Sequence, residues 1–96
     1  MEINGKNYEL KYSLRSMFIW EEITGKSFEI NTLFDTYIFA YSCLLANPEN
    51  PQIEFNEFID ACDKDSSIIE EFNQYIENEM KKRNTFNKDK KKVTQK

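Results

Sequence analysis

The stretch that decides the fold is LFDTYIFAYSCLLA, residues 33–46, because a helix built from it is apolar in almost every direction. Its only charged residue is Asp35. A helix that is apolar all round is usually buried, so this segment predicts the central element of the domain. If the chain's own helices cover only one side of it, the remainder is expected at an oligomer interface or under a client protein.

A β-hairpin is predicted at the start of the chain. Apolar and polar residues alternate over residues 1–4 and 7–12, and Asn4-Gly5 supplies the two positive φ angles that a type I′ turn requires. A lone hairpin is marginal in water, so we expect its apolar face to pack on helices.

The first helix is predicted between Ser13 as N-cap and Gly25 as a left-handed C-terminal stop. One broad apolar face consists of Ser16, Met17, Ile19, Trp20 and Ile23. Leu14 and Phe18 lie on a different side. Either the rest of the chain covers both faces, or Leu14 and Phe18 belong to a partner-binding surface.

Two further helices are predicted after a break that contains two prolines, one over about 56–63 and one from Ser66 or Ser67 to about residue 83. Capping boxes are predicted for Thr32 with Asp35 and for Ser67 with Glu70. The expected fold is therefore mainly α (α+β by strict count). An N-terminal hairpin packs on about four helices in one domain, residues 1–83, and a disordered lysine-rich tail follows, residues 84–96.

Charge is divided unequally along the chain. Residues 1–80 contain five basic and sixteen acidic side chains, whereas residues 81–96 contain eight basic residues and one acid. An acidic body repels phosphate backbones, so any binding to nucleic acid would fall to the tail, where Phe86 is the only aromatic residue that could stack on a base. The composition thus argues against a nucleic-acid-binding body.

Most catalytic chemistries are excluded by composition. The chain has no histidine, two glycines and two cysteines, which excludes imidazole triads, phosphate-binding glycine loops and four-thiolate metal sites. An acidic run beginning at Asp63 resembles a calcium loop, but Ile68 stands where glycine is needed and Gln74 where a bidentate glutamate is needed. We expect no enzyme activity, no cofactor and no metal.

Neither a secretory signal nor a bilayer span is indicated by the sequence. The N-terminus has no basic segment followed by an apolar one, and the longest uncharged stretch, residues 36–48, is far below the roughly 20 residues that a span requires. We therefore expect a non-secreted cytoplasmic protein, with Cys43 and Cys62 as reduced, buried thiols.

Several segments together resemble a known protein family. Residues 3–12, INGKNYELKY, the pair Leu14-Arg15 and residues 22–26, EITGK, resemble the N-terminal signature of tail assembly chaperones of long-tailed bacteriophages and prophages. Residues 53–60, IEFNEFID, also resemble a segment common in such proteins. The resemblance covers about residues 1–80.

This resemblance implies a non-enzymatic role in the cytoplasm of a bacterial host. Such chaperones bind the long, apolar, helical tape measure protein and keep it soluble while tail tube subunits assemble around it. The expected partners are thus a tape measure protein, a tail tube protein in addition, or a second copy of the chain. The candidate contacts are large apolar residues expected near the surface, and the alternative for each, which the sequence favours, is a place in the core: Leu14, Phe18, Trp20, Tyr37 and Tyr41.

Two other functions are compatible with the sequence. One is a small regulatory protein that binds nucleic acid through its basic tail, which predicts salt-sensitive binding that is lost when residues 84–96 are deleted. The other is a structural tail component, which would persist in purified virions.

Overall fold

Two short strands and four helices follow one another in the described part of the chain. The computed structural model describes the backbone of residues 1–94 and the side chains of residues 1–83. The elements are β1 (Glu2–Ile3), β2 (Lys6–Asn7), α1 (Leu14–Thr24), α2 (Leu33–Leu45), α3 (Phe55–Lys64) and α4 (Ser67–Thr94). The predicted class is confirmed: an N-terminal hairpin packs on a bundle of helices. Within the described residues, no helix is long and apolar enough to cross a membrane.

The hairpin has the predicted turn but shorter strands. Asn4 and Gly5 have φ angles of 53° and 80°, and β1 pairs with β2 in antiparallel register. Tyr8 still pairs with Met1, and the nitrogen of each donates to the carbonyl of the other at 2.7 Å. Further along, the chain turns to the helices: the Lys11 N–H donates to the Cys43 carbonyl at 3.0 Å, and the Tyr12 N–H donates to the Tyr75 hydroxyl at 2.9 Å. The ladder therefore ends early because these backbone groups are satisfied by α2 and α4.

The caps of α1 and α2 are those that the sequence predicts. Ser13 forms a capping box with Ser16, and Gly25 ends α1 with a φ angle of 72°. Thr32 and Asp35 form the capping box of α2. Short-range hydrogen bonds of this kind satisfy the orphan amides of a first turn, which is why both helices begin at the expected residue.

α1 and α2 run antiparallel, and contacts at both ends of the pair show this. The Trp20 indole N–H donates to the Asp35 carbonyl at 3.1 Å, near the end of α1 and the start of α2. Ser16 hydrogen-bonds the Cys43 thiol at the opposite ends. All four residues are buried.

The core is built around edge-to-face aromatic contacts. Phe39 of α2 has three ring neighbours, with centroids at 5.0 Å from Phe28, 5.7 Å from Tyr12 and 5.7 Å from Phe72. The Trp20 ring continues the chain of contacts at 5.2 Å from Phe28. Such pairs add to the stability gained from burying their area. This core accounts for much of the high aromatic content, and α2 is its central element, as predicted.

Asp35 is a buried carboxylate whose oxygens all have partners. Its Oδ2 accepts the N–H groups of Asn31 at 3.0 Å and Thr32 at 3.2 Å, and its Oδ1 lies 3.4 Å from the Lys26 Nζ. The amide of Asn31, then that of Thr32, and then Lys26 hold the pKa of this carboxyl below its ordinary value, against the effect of burial. The cluster fixes the α1–α2 connector to the first turn of α2.

The start of α4 differs from the prediction. The predicted box of Ser67 with Glu70 is wrong: Ser67 is the first helical residue, and its N–H and hydroxyl both donate to Asp65 Oδ1, at 3.0 and 2.7 Å. The Glu70 N–H donates to the Ser66 carbonyl instead. A carboxylate two residues upstream thus takes the capping role that the spacing assigned to Ser67.

α4 also continues further than predicted. The sequence predicts its end near Lys82 or Arg83, whereas the helical backbone runs to Thr94. No glycine or proline interrupts residues 83–94, and lysine is a good helix former, so no local signal stops the helix there. The predicted disordered tail, residues 84–96, lies outside the part of the chain whose side chains are described.

Candidate functional site

An open apolar groove lies between the first half of α2 and the outer side of α3. Its volume is about 390 Å³. Six of its seven lining residues are apolar or aromatic, and one is a carboxylate: Leu33, Phe34, Tyr37, Phe55, Ile59, Cys62 and Asp63. We call it the α2–α3 groove.

The α2 wall of the groove is the more exposed part of that helix within the described residues. Leu33 is 74% and Phe34 62% exposed, whereas Ile38, Phe39, Ala40 and Leu44 are buried. Tyr37 follows one turn later and is half-buried. Neighbouring large apolar side chains that stay exposed make this face a candidate binding surface.

The α3 wall consists of residues four and three positions apart, Phe55, Ile59 and Cys62, which lie on one face of the helix. The same helix uses Phe58 and Ala61 to pack against the core. Phe34 meets Phe55 edge to face with ring centroids 6.1 Å apart, so the two walls touch at the floor of the groove. α3 is therefore apolar on two adjacent faces, and only one of them is buried.

Carboxylates lie at the end of the groove where α3 ends. Asp63 lines the groove, and Asp65 caps α3. Burial raises the pKa of the Cys62 thiol to about 11, and the charges of Asp63 and Asp65 contribute to this rise. Burial also raises the pKa of the Cys43 thiol to about 12. Neither thiol is an activated nucleophile, because each is protonated at neutral pH.

The five candidate contact residues are found in three different settings. Leu14 and Phe18 are 67% and 59% exposed on the outer face of α1, so within the described chain neither the hairpin nor the other helices cover this face. Trp20 is 0% exposed, and the expectation that it lies near the surface is wrong. Its large ring fills the space between α1, α2 and Phe28, and its N–H is bonded to Asp35.

Tyr37 and Tyr41 are both half-buried, but only Tyr37 lines the groove. The Tyr41 hydroxyl donates to the Ile53 carbonyl at 2.8 Å, and its ring lies 5.3 Å from that of Phe55. Burial, with Glu54 and Glu57 nearby, raises the pKa of Tyr41. Tyr41 thus supports the α3 wall from behind and joins α2 to the segment before α3.

Six residues of the groove were not among the sequence candidates: Leu33 and Phe34 on α2, Phe55 and Ile59 on α3, and Cys62 and Asp63 near the end of α3. Leu33 and Phe34 belong to α2, which is apolar on almost every side. This pattern predicted that part of α2 would stay exposed, but it did not show which part. The signal for the α3 pair is the width of its apolar stripe, which exceeds what one packed face needs.

Chemistry other than binding has little support in the described residues. Among them, no group of three or more Cys, Asp and Glu side chains is arranged to hold a metal ion. Asp65, from the calcium-like run, uses its Oδ1 to hold Ser67. A second depression of about 390 Å³ between Leu45 and α3 is lined by Gln52, Glu54 and Glu57 as well as by Ile53, so it is more polar than the α2–α3 groove.

Comparison of this chain with protein-family models, with curated proteins and with solved structures finds no match.

Proposed function

We propose that this chain is a non-enzymatic binding protein of the tail assembly chaperone type, which keeps an apolar helical client, a tape measure protein, soluble in the cytoplasm of a bacterial host. The observation that carries the proposal is the α2–α3 groove, with Leu33 and Phe34 exposed on its wall. The resemblance of residues 3–12 and 53–60 to that family supports the identity of the client.

The shape of the groove suits a helix. Two apolar walls, each made from residues three or four positions apart on a helix, form the kind of surface on which the apolar face of an amphipathic helix binds. The contact between Phe34 and Phe55 joins the two walls and offers aromatic surface, and aromatic residues often carry much of the binding energy of an interface.

The charge of the body suits a chaperone. Residues 1–80 contain sixteen acidic residues, all but Asp35 at least partly exposed, and this net charge helps to keep a complex with an apolar client in solution. Leu14 and Phe18 supply a second exposed apolar surface, on α1, which a long client could contact in addition.

The test is co-expression of this chain with the tape measure protein encoded beside it. We expect the client to move from the pellet to the soluble fraction and to co-purify with the chain. Phe34→Glu should abolish this effect, because it places an unpaired charge where the client's apolar side chains would lie. A client that is equally insoluble with and without the chain, and that does not co-purify, would contradict the proposal.

Two variants serve as controls. Leu45→Glu puts the same charge on α2 outside the groove, at a residue that is 40% exposed, and should leave co-purification intact. Phe18→Glu changes an aromatic residue of nearly the same exposure on α1. Its effect measures whether the α1 surface also contacts the client. Circular dichroism of each variant checks that the helices remain folded.

A further inference from the structure

Asp63 is the one charged residue in the lining of the α2–α3 groove. Between Lys26 and Lys81, the sequence has twelve acidic residues and a single basic one, Lys64. Of those acids only Asp35 is buried. A partner that places a positive charge beside Asp63 therefore gains from complementary charge.

The carboxylate of the lining lies at the end of the groove where α3 ends. Asp63 is part of the lining, and Asp65 lies two residues further on, where α3 ends. The carbonyl end of a helix adds a partial negative charge at the same place. Lys64 lies one position after Asp63, which turns its side chain about 100° around the helix from Asp63.

The length of the apolar lining limits the occupant. On α3 it runs from Phe55 to Cys62, which spans about 10 Å at 1.5 Å per residue, or two turns of helix. Two turns of a partner helix present apolar side chains at positions i, i+3 or i+4, and i+7. The next residues of such a helix would lie beside Asp63 at one end.

We infer that the α2–α3 groove binds a two-turn apolar stripe of an amphipathic helix that carries lysine or arginine at the end lying beside Asp63. This inference rests on the proposed function, because it specifies the chemistry of the client segment. The proposed occupant is a helix with a basic residue at one end. Binding of apolar helices regardless of their charge is the alternative outcome that the test can reveal.

The test uses three alanine-based peptides of about 18 residues, long enough to form a helix in solution. All carry leucine at i, i+4 and i+7, and the flanking positions are lysine in one peptide, glutamine in the second and glutamate in the third. Binding to the full chain is measured by fluorescence anisotropy. We expect the lysine peptide to bind about two- to fivefold more tightly than the glutamine peptide, which is the range for partly exposed ion pairs, and the glutamate peptide to bind most weakly.

Matched variants locate the effect. Asp63→Asn should remove most of the preference for lysine over glutamine, whereas Asp60→Asn, an exposed position on the same helix outside the lining, should keep it. Raising the salt concentration should reduce the preference in the unmodified chain. Phe34→Glu should prevent binding of the glutamine peptide as well.

The outcomes separate the two proposals. If all three peptides bind with equal affinity, or the glutamate peptide binds best, the inference is overturned while the apolar groove remains a helix-binding site. If no peptide binds to the unmodified chain, the groove is not a helix-binding site and both proposals fail.

Discussion

Trp20 and Phe18 are aromatic residues two positions apart on α1 with opposite environments. Trp20 is fully buried, and Phe18 is 59% exposed. Truncation of a buried aromatic side chain leaves a cavity, whereas truncation of an exposed one removes little burial. The pair therefore separates a residue that holds the fold from one that is available to a partner.

We predict that Trp20→Ala lowers the free energy of unfolding by about 3–5 kcal/mol, whereas Phe18→Ala changes it by less than about 0.5 kcal/mol. Urea unfolding followed by circular dichroism measures both. A Phe18→Ala variant as unstable as Trp20→Ala would mean that the outer face of α1 is covered after all.

Asp35 makes the free energy of unfolding depend on pH in the acid range. The amides of Asn31 and Thr32, together with Lys26, hold its pKa below the ordinary value of 3.8. A lowered pKa in the folded state means that the carboxylate stabilises the fold above pH 3.8, and that this contribution is lost as the pH falls below that value.

We therefore predict that the free energy of unfolding falls more steeply between about pH 5 and pH 2 in the unmodified chain than in Asp35→Asn, which has no carboxylate to protonate there. Asp65→Glu, which keeps a carboxylate at an exposed cap, is the control and should retain the steep fall. Equal slopes for the unmodified chain and Asp35→Asn would contradict the assignment.

Gly25 determines where α1 ends. Its φ angle is 72°, and a Cβ atom added there would meet no atom within 4 Å. The cost of a substitution there therefore comes from backbone strain rather than from crowding.

We predict that Gly25→Ala lowers the free energy of unfolding by about 1–2 kcal/mol and that Gly25→Asn lowers it less, because asparagine tolerates the left-handed conformation. Thermal and urea unfolding compare the three proteins, and an alanine variant of unchanged stability would refute the prediction.

Helix starts and stops were predictable to the extent that they depend on neighbours in sequence. Ser13, Gly25 and Thr32 act through hydrogen bonds or φ angles within four residues, and each was identified correctly. Strand length was not, because Lys11 and Tyr12, which were expected to continue the second strand, hydrogen-bond to α2 and α4, which lie far along the chain. The capping box predicted for Ser67 and Glu70 was wrong because the Ser67 N–H donates to the carboxylate of Asp65 instead.

At the scale of the whole molecule, α4 is tied to the hairpin side of the body by Arg83. Its guanidinium lies 4.4 Å from the centroid of the Tyr12 ring, and it is the last residue whose side chain is described.

We predict that the free energy of unfolding of a chain ending after Arg83 lies within about 0.5 kcal/mol of that of the full chain. We also predict that Arg83→Ala lowers it by about 0.5–1 kcal/mol through loss of the cation–π contact. Urea unfolding tests both. A large loss on removal of residues 84–96 would show that they help to stabilise the body.

The position of the candidate site could not be predicted from the sequence. The apolar surround of α2 indicated that part of it would be left for a partner, but which part depends on where α1, α3 and α4 pack. The sequence candidates favoured Trp20 because large aromatic residues dominate interfaces, and in this fold the same property places it in the core. Leu33 and Phe34 were not among the candidates, although Tyr37 and Tyr41 of the same segment were, because the apolar surround of α2 does not show which of its residues the other elements leave exposed.

The two thiols differ in a way that helps anyone who studies the groove spectroscopically. Cys43 is sealed inside the bundle, whereas Cys62 is half-exposed in the groove wall. Because the thiolate is the reacting form and the pKa of Cys62 is about 11, slow alkylation at clearly alkaline pH should attach one fluorophore or nitroxide at Cys62 ahead of the buried Cys43, without any engineered cysteine. Its emission or mobility would then report directly on whether the neighbouring cleft is filled or empty.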